Sequence, residues 1–171
     1  MLRIMTHAPV KSKFSESLGD TRFLSVDVEK DVTIGDTVNS GKRALLTAPR
    51  WVRLLEELDN IDSAVERAAT LKPTQYRFHL GGNWHISVSD ELPFVDVRRW
   101  YQKSGEDNLR PTLVGIALTF TQWNRLKEVA KLDIMVKEFQ GIESCWHLSQ
   151  REELLCPECT TPTAASLGLR L

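Results

Sequence analysis

The sequence predicts an α+β protein made of two homologous units, each an antiparallel β-sheet followed by one α-helix, packed as an intramolecular pseudo-dimer. Two observations carry this. Leu18-Gly19 stands shortly before Leu24-Ser25-Val26, and sixty-two positions later Leu80-Gly81 stands before Ile86-Ser87-Val88. Leu46-Thr47-x-x-x-Trp51-x-Arg53-Leu54-x-Glu56 then returns seventy-two positions on as Leu118-Thr119-x-x-x-Trp123-x-Arg125-Leu126-x-Glu128. Internal repetition of this kind sets an architecture before any single element does. One sheet with one helix cannot cover both of its apolar surfaces, so two units share a core, as an isologous dimer does between chains.

The elements follow in order. Residues 1–13 are read as a flexible N-terminal arm, residues 14–71 as the first sheet-plus-helix unit, residues 72–140 as the second and residues 141–171 as a Cys/His-containing tail. Apolar residues from Phe23 to Ile34 interleave with charges, which suits one or two short strands. Asp36 to Gly41 is a turn, and Lys42 to Leu46 a further strand. Thr47 is a good N-cap, with Pro49 in the first turn where its missing N–H costs nothing. Trp51, Leu54, Leu55, Leu58, Ile61 and Val65 recur at helical spacing, predicting one amphipathic helix over 48–69. In the second unit, Gln75–Leu80, Trp84–Val88, Phe94–Gln102 and Leu113–Leu118 read as strands. Thr119 and Gln122 have capping-box spacing, and Trp123, Leu126, Val129, Ala130, Ile134 and Val136 continue the second helix. Trp51 and Trp123 read as core anchors.

Composition limits the function. Of 171 residues, 42% are hydrophobic, enough for a core, and the net charge is −1. That balance excludes bulk electrostatic attraction to nucleic acid or membrane, so any basic surface is a local stripe. No apolar run approaches the roughly 18–20 residues of a membrane-spanning helix. No glycine-rich phosphate loop, nucleophile elbow or third member for a His85–Asp96 pair is found, which argues against an enzyme.

Phe78-x-Leu80-Gly81, Ile86-Ser87-Val88, Val95-Asp96-Val97-Arg98, Arg110-Pro111, Gly115-Ile116-x-Leu118 and Gln122-Trp123-x-x-Leu126-Lys127-Glu128 resemble the positive cofactor four family of transcription coactivators. The first unit resembles the same family in Trp51-x-x-Leu54-x-Glu56 and Ile61-Asp62-x-Ala64-Val65-x-Arg67. The doubled arrangement is also similar to that of the Whirly proteins. The resemblance implies curved sheets, a nuclear protein, and binding of single-stranded or melted DNA along sheet edges, together with contacts to the transcription machinery. Family members pair as dimers, so the fused pair is expected to be a monomer.

Single-strand binding needs cations for phosphates and flat side chains for bases. Arg98, Arg99, Trp100, Tyr101, Lys103 and Arg110 form the densest such stretch, and Lys42-Arg43 lies at a basic family position in the first unit. Other basic family positions are lost to Gly82, Ser89 and Leu113-Val114, and no aromatic stands near Glu91, which weakens phosphate binding. A protein-interaction scaffold with vestigial nucleic-acid binding is the alternative. All three cysteines fall in the tail. Cys145, His147, Cys156 and Cys159 form a four-ligand set suited to a structural zinc, against the simpler reading of three unligated cysteines. No cofactor is otherwise required.

Overall fold

The structure, a computed structural model, describes residues 12–144 and His147. Strands β1 (Ser12–Gly19), β2 (Arg22–Asp27), β3 (Val32–Asp36) and β4 (Arg43–Leu46) form an antiparallel sheet in chain order, followed by α1 (Ala48–Glu56) and α2 (Leu58–Ala69). The pattern returns in β5 (Gln75–Gly81), β6 (Trp84–Ser89), β7 (Phe94–Gln102) and β8 (Leu109–Thr119), followed by α3 (Phe120–Ala130) and α4 (Asp133–Phe139). The two units are similar and the fold is α+β, as the repeat predicts.

The repeated Leu-Gly has a backbone reason. Leu18 and Leu80 are buried, while Gly19 and Gly81 take φ of 107° and 125°. Both hairpin ladders slip at that glycine, between Ser17 and Gly19 and between His79 and Gly81. A residue with positive φ at a bulge favours glycine, because a Cβ is strained there. The motif therefore encodes a core contact and then a bulged turn.

The units cover one another. Helices α1 and α2 lie against β5 and β6, α3 lies against β1 as well as β7 and β8, and β4 runs beside β8. Trp51 and Trp123 are fully buried with Leu54, Ile61, Leu126 and Val129 in one continuous core. Polar contacts cross the same boundary. Trp123 Nε1–H donates to Asp62 Oδ1 at 2.9 Å, and Lys127 Nζ donates to Asp62 Oδ2 at 2.7 Å. Tyr76 donates its hydroxyl to Glu57 Oε1 at 2.9 Å, and Gln122 Nε2 donates to Asp20 Oδ2 at 3.1 Å. Lys13 Nζ reaches Glu138 Oε2 at 2.5 Å.

Several expectations change. The helix predicted over 48–69 is two helices, because Glu57 leaves helical geometry at φ −99°, ψ 3°. The carboxylate of Glu57 is instead held by Tyr76 and Asn60, the first from the opposite unit. The second helix also breaks, at Leu132, whose backbone is extended at φ −62°, ψ 140°. The break rotates the apolar stripe, so Met135 and Phe139 are buried while Ile134 and Val136 are exposed. Phe139 sets its ring 6.1 Å from that of Trp51. Strand β8 begins at Leu109 rather than Leu113, because Arg110 and Pro111 pair with Tyr101 and Trp100 beyond a ladder irregularity. Proline is tolerated in a strand at such a place. Ser12 and Lys13, assigned by sequence to the arm, belong to β1. The capping box at Thr119 and Gln122 forms in full, whereas the Thr47 side chain makes no capping bond.

Asp62 is the acceptor for a buried indole N–H, and Asp62→Ala leaves that donor unpaired. The expected loss is about 1–3 kcal/mol of folding stability, read as a lower urea midpoint with an unchanged slope.

Candidate nucleic-acid interface

Side chains of a strand alternate between faces, and this divides the Arg98–Tyr101 stretch. On β6 and β7, Ile86, Val88, Val95 and Val97 point into the core. Their neighbours point to the outer face. Arg98 sits there opposite His85 and Gly115. The close approach requires the glycine, because a Cβ on Gly115 would stand 2.2 Å from that of Arg98. Arg98 is occupied by the sheet itself. It donates to both carboxylate oxygens of Asp96, at 2.6 and 2.9 Å, and to the Thr112 carbonyl at 2.9 Å. The Asp96 hydrogen bonds hold its guanidinium pKa above the ordinary value.

Trp100, two residues on, lies over the same outer face. Its backbone N–H donates to the Asn83 carbonyl at 2.7 Å, which ties it to the β5–β6 turn. The Arg77 guanidinium lies 4.9 Å from the centre of its ring, and His85 meets it edge-on at 6.0 Å. His85 in turn stacks on His79 at 4.7 Å. Arg77, His79, His85 and Trp100 thus form a continuous aromatic and basic surface on β5, β6 and β7. Sequence reading did not bring Arg77 or His79 to this site. The signal was available in the period-two alternation of β5, where Arg77 and His79 flank the inward Phe78.

The remaining candidates divide by position. Arg99 falls on the opposite side from Trp100, beside Trp84 at 6.0 Å; with the Asn83 amide turned so that its oxygen faces the guanidinium, Nε and Nη2 donate to it at 2.6 and 2.9 Å. Burial, with Arg50 nearby, lowers its pKa from the ordinary arginine value. Tyr101 pairs with Arg110 on the outer ribbon of β7 and β8, and alternation puts it on the side away from Trp100. Lys103 and Arg110 converge on Glu106, at 3.6 and 2.8 Å. Lys42 and Arg43 are exposed, Lys42 in the turn before β4 and Arg43 on β4 opposite Gly35. Of the proposed zinc ligands, Cys145, Cys156 and Cys159 lie outside the described residues, and His147 is exposed with Nε2 3.3 Å from Glu56 Oε1.

His85 is buried, and this burial lowers its pKa to about 4, with the charges of His79 and Arg77 acting in the same direction. The unfolded imidazole protonates near the ordinary value of about 6.5, the folded one only near 4. The contribution of His85 is therefore complete above about pH 6.5 and is lost as pH falls toward 4. Phe23 occupies the matching β2 position in the first unit. His85→Phe should flatten the decline in stability between pH 6.5 and 4, as measured by urea unfolding at a series of pH values.

Residues 78–129 match the family model of the Transcriptional Coactivator p15 (PC4). No curated protein and no solved structure matches the chain. The matched span begins within β5 and ends within α3, so it contains the irregularity after Arg98, Trp100 and the ribbon to Arg110. It is the span whose motifs resemble that family in sequence, and over residues 78–129 the second unit of this chain is similar to the transcriptional coactivator p15 (PC4) family.

Proposed function

We propose that the protein binds single-stranded DNA, including melted duplex, on the outer face of β5–β8, and that it acts in the nucleus as a transcription coactivator. The observation that carries this is Trp100, laid on that face between Arg77 and His85. An indole on a sheet surface beside a guanidinium offers bases a stacking platform, worth about 1–3 kcal/mol per base. The family match of the same span supports the reading. Half-buried Arg98 acts as a positioning residue that holds β7 against β8. Lys103 and Arg110 can exchange Glu106 for phosphate, since surface ion pairs contribute only about 0–1 kcal/mol. Lys42 and Arg43 offer a further phosphate contact on the first unit, and Arg99 and Tyr101 line the rim behind Trp100.

The test is a fluorescence-anisotropy titration of a labelled single strand and its duplex. Single strand should bind more tightly, and Trp100→Ala should weaken it about 5- to 150-fold. About three or four phosphate contacts give a log–log salt slope of only about −2 to −3. An absence of binding even at low salt would leave the two-unit fold as a protein-interaction scaffold.

The mutual coverage of the two sheets supports a monomer. Light scattering should report a mass near 19.5 kDa that does not change with concentration. A dimer at every concentration would mean that each unit pairs with another chain.

A further inference from the structure

We infer that the cleft beside Trp100 is a base-selective subsite that takes a keto base (guanine, thymine or uracil) in preference to the amino bases adenine and cytosine. This deepens the single-strand reading above and rests on it. A cleft of about 370 Å³ opens on the outer face, bordered by Gln75, Arg77, Ser87, Ser89 and Trp100. Its size lies within the range of small-ligand sites, about 300–1,000 Å³. One wall is the indole of Trp100, Tyr76 and Val88 add apolar surface, and the remaining lining side chains are polar.

The cations of this unit are not equivalent. Arg98 is committed to Asp96 and the Thr112 carbonyl, Arg99 to Asn83, and Arg110 to Glu106. Arg77 is exposed, its guanidinium carbon stands 4.9 Å from the centre of the Trp100 ring, and its guanidinium has no hydrogen-bond acceptor among the described residues. The side chains of Gln75 and Ser87 likewise make no hydrogen bond among the described residues, whereas Ser89 Oγ already accepts the Glu91 N–H at 3.2 Å. Contact with the indole restrains the Arg77 side chain, whose N–H donors border the cleft.

A guanidinium donates and cannot accept. A base stacked on this wall is rewarded for an oxygen at the edge that meets Arg77: O6 of guanine or O4 of thymine and uracil. An exocyclic amino group at that position sets donor against donor, and the contact is lost. Gln75 and Ser87 both donate and accept, so they can satisfy the rest of the edge of either class without choosing between them. Selectivity therefore resides in Arg77, and the affinity common to all bases resides in Trp100.

The experiment compares oligonucleotides that differ only in this group. The full chain is titrated with labelled (dU)20 and (dC)20, and with an oligonucleotide carrying deoxyinosine or deoxyadenosine at one position. The keto member of each pair should bind about 5- to 100-fold more tightly. Arg77→Gln should abolish the difference within each pair, and Arg77→Lys, which keeps the charge but loses the planar fork, should abolish most of it. Both changes are at an exposed position and leave the core untouched. Equal affinity within each pair, or a preference that survives Arg77→Gln, overturns the subsite while single-strand binding stands. No binding to any oligonucleotide overturns both.

Discussion

Neither four-stranded sheet can bury its own apolar face, and the rest of the molecule depends on how that is resolved. Each unit lends its helices to the other: α1 and α2 cover β5 and β6, and α3 covers β1. The hydrophobic term follows from burying Trp51 and Trp123 at equivalent places in one core. Specificity of docking follows from the polar contacts that cross the boundary. Asp62 is central to these, because one carboxylate satisfies both the Trp123 indole N–H and the Lys127 ammonium. The relation is not fully symmetric. Trp51 Nε1 has no hydrogen-bond partner among the described residues, and its ring meets Phe139 instead.

With both inner faces used for mutual coverage, the outer faces are left for other work, and here the units diverge. In the first unit, the Phe23 ring lies over Gly35, so closely that a Cβ on Gly35 would stand 2.6 Å from it. In the second, the corresponding strands carry His85 opposite Arg98, and Arg98 is accommodated by Gly115 on the next strand. The large residue and the glycine have thus changed strands between units. The second unit also extends β7 and β8 into a ribbon to Gln102 and Leu109. Trp100 stands at the base of that ribbon, where Arg77 and His85 can reach it. The first unit has only a four-residue β4 and no such ribbon.

The near-neutral net charge has a local counterpart. Much of the positive charge of the second unit is neutralised within the fold, Arg98 by Asp96 and Arg110 with Lys103 by Glu106. Such a surface attracts a polyanion weakly, and stacking and donor geometry then carry a larger share of recognition than phosphate charge does.

Fold class, the two-unit plan and most element positions were legible along the chain. Leu-Gly, the Thr119–Gln122 capping box and the helical stripe through Trp51 or Trp123 are local signals, and local backbone physics decides what they become. Sequence reading also included Trp100 in the candidate stretch from Arg98 to Arg110. The tertiary structure decided what lay beyond local physics. Glu57 breaks its helix where Tyr76 of the other unit takes its carboxylate, and the break at Leu132 turns Phe139 toward Trp51. Neither break has a proline or glycine to announce it. The site was legible only as a cluster along the chain, Arg98 to Arg110. The alternation of β7 separates Arg98 and Trp100 from Arg99 and Tyr101, and cross-strand pairing brings Arg77 and His85 to Trp100 from strands β5 and β6. Which cations were free could not be read in one dimension, because their partners, Asp96 beside Arg98 and Glu106 beside Arg110, are chosen by side-chain geometry on the folded surface.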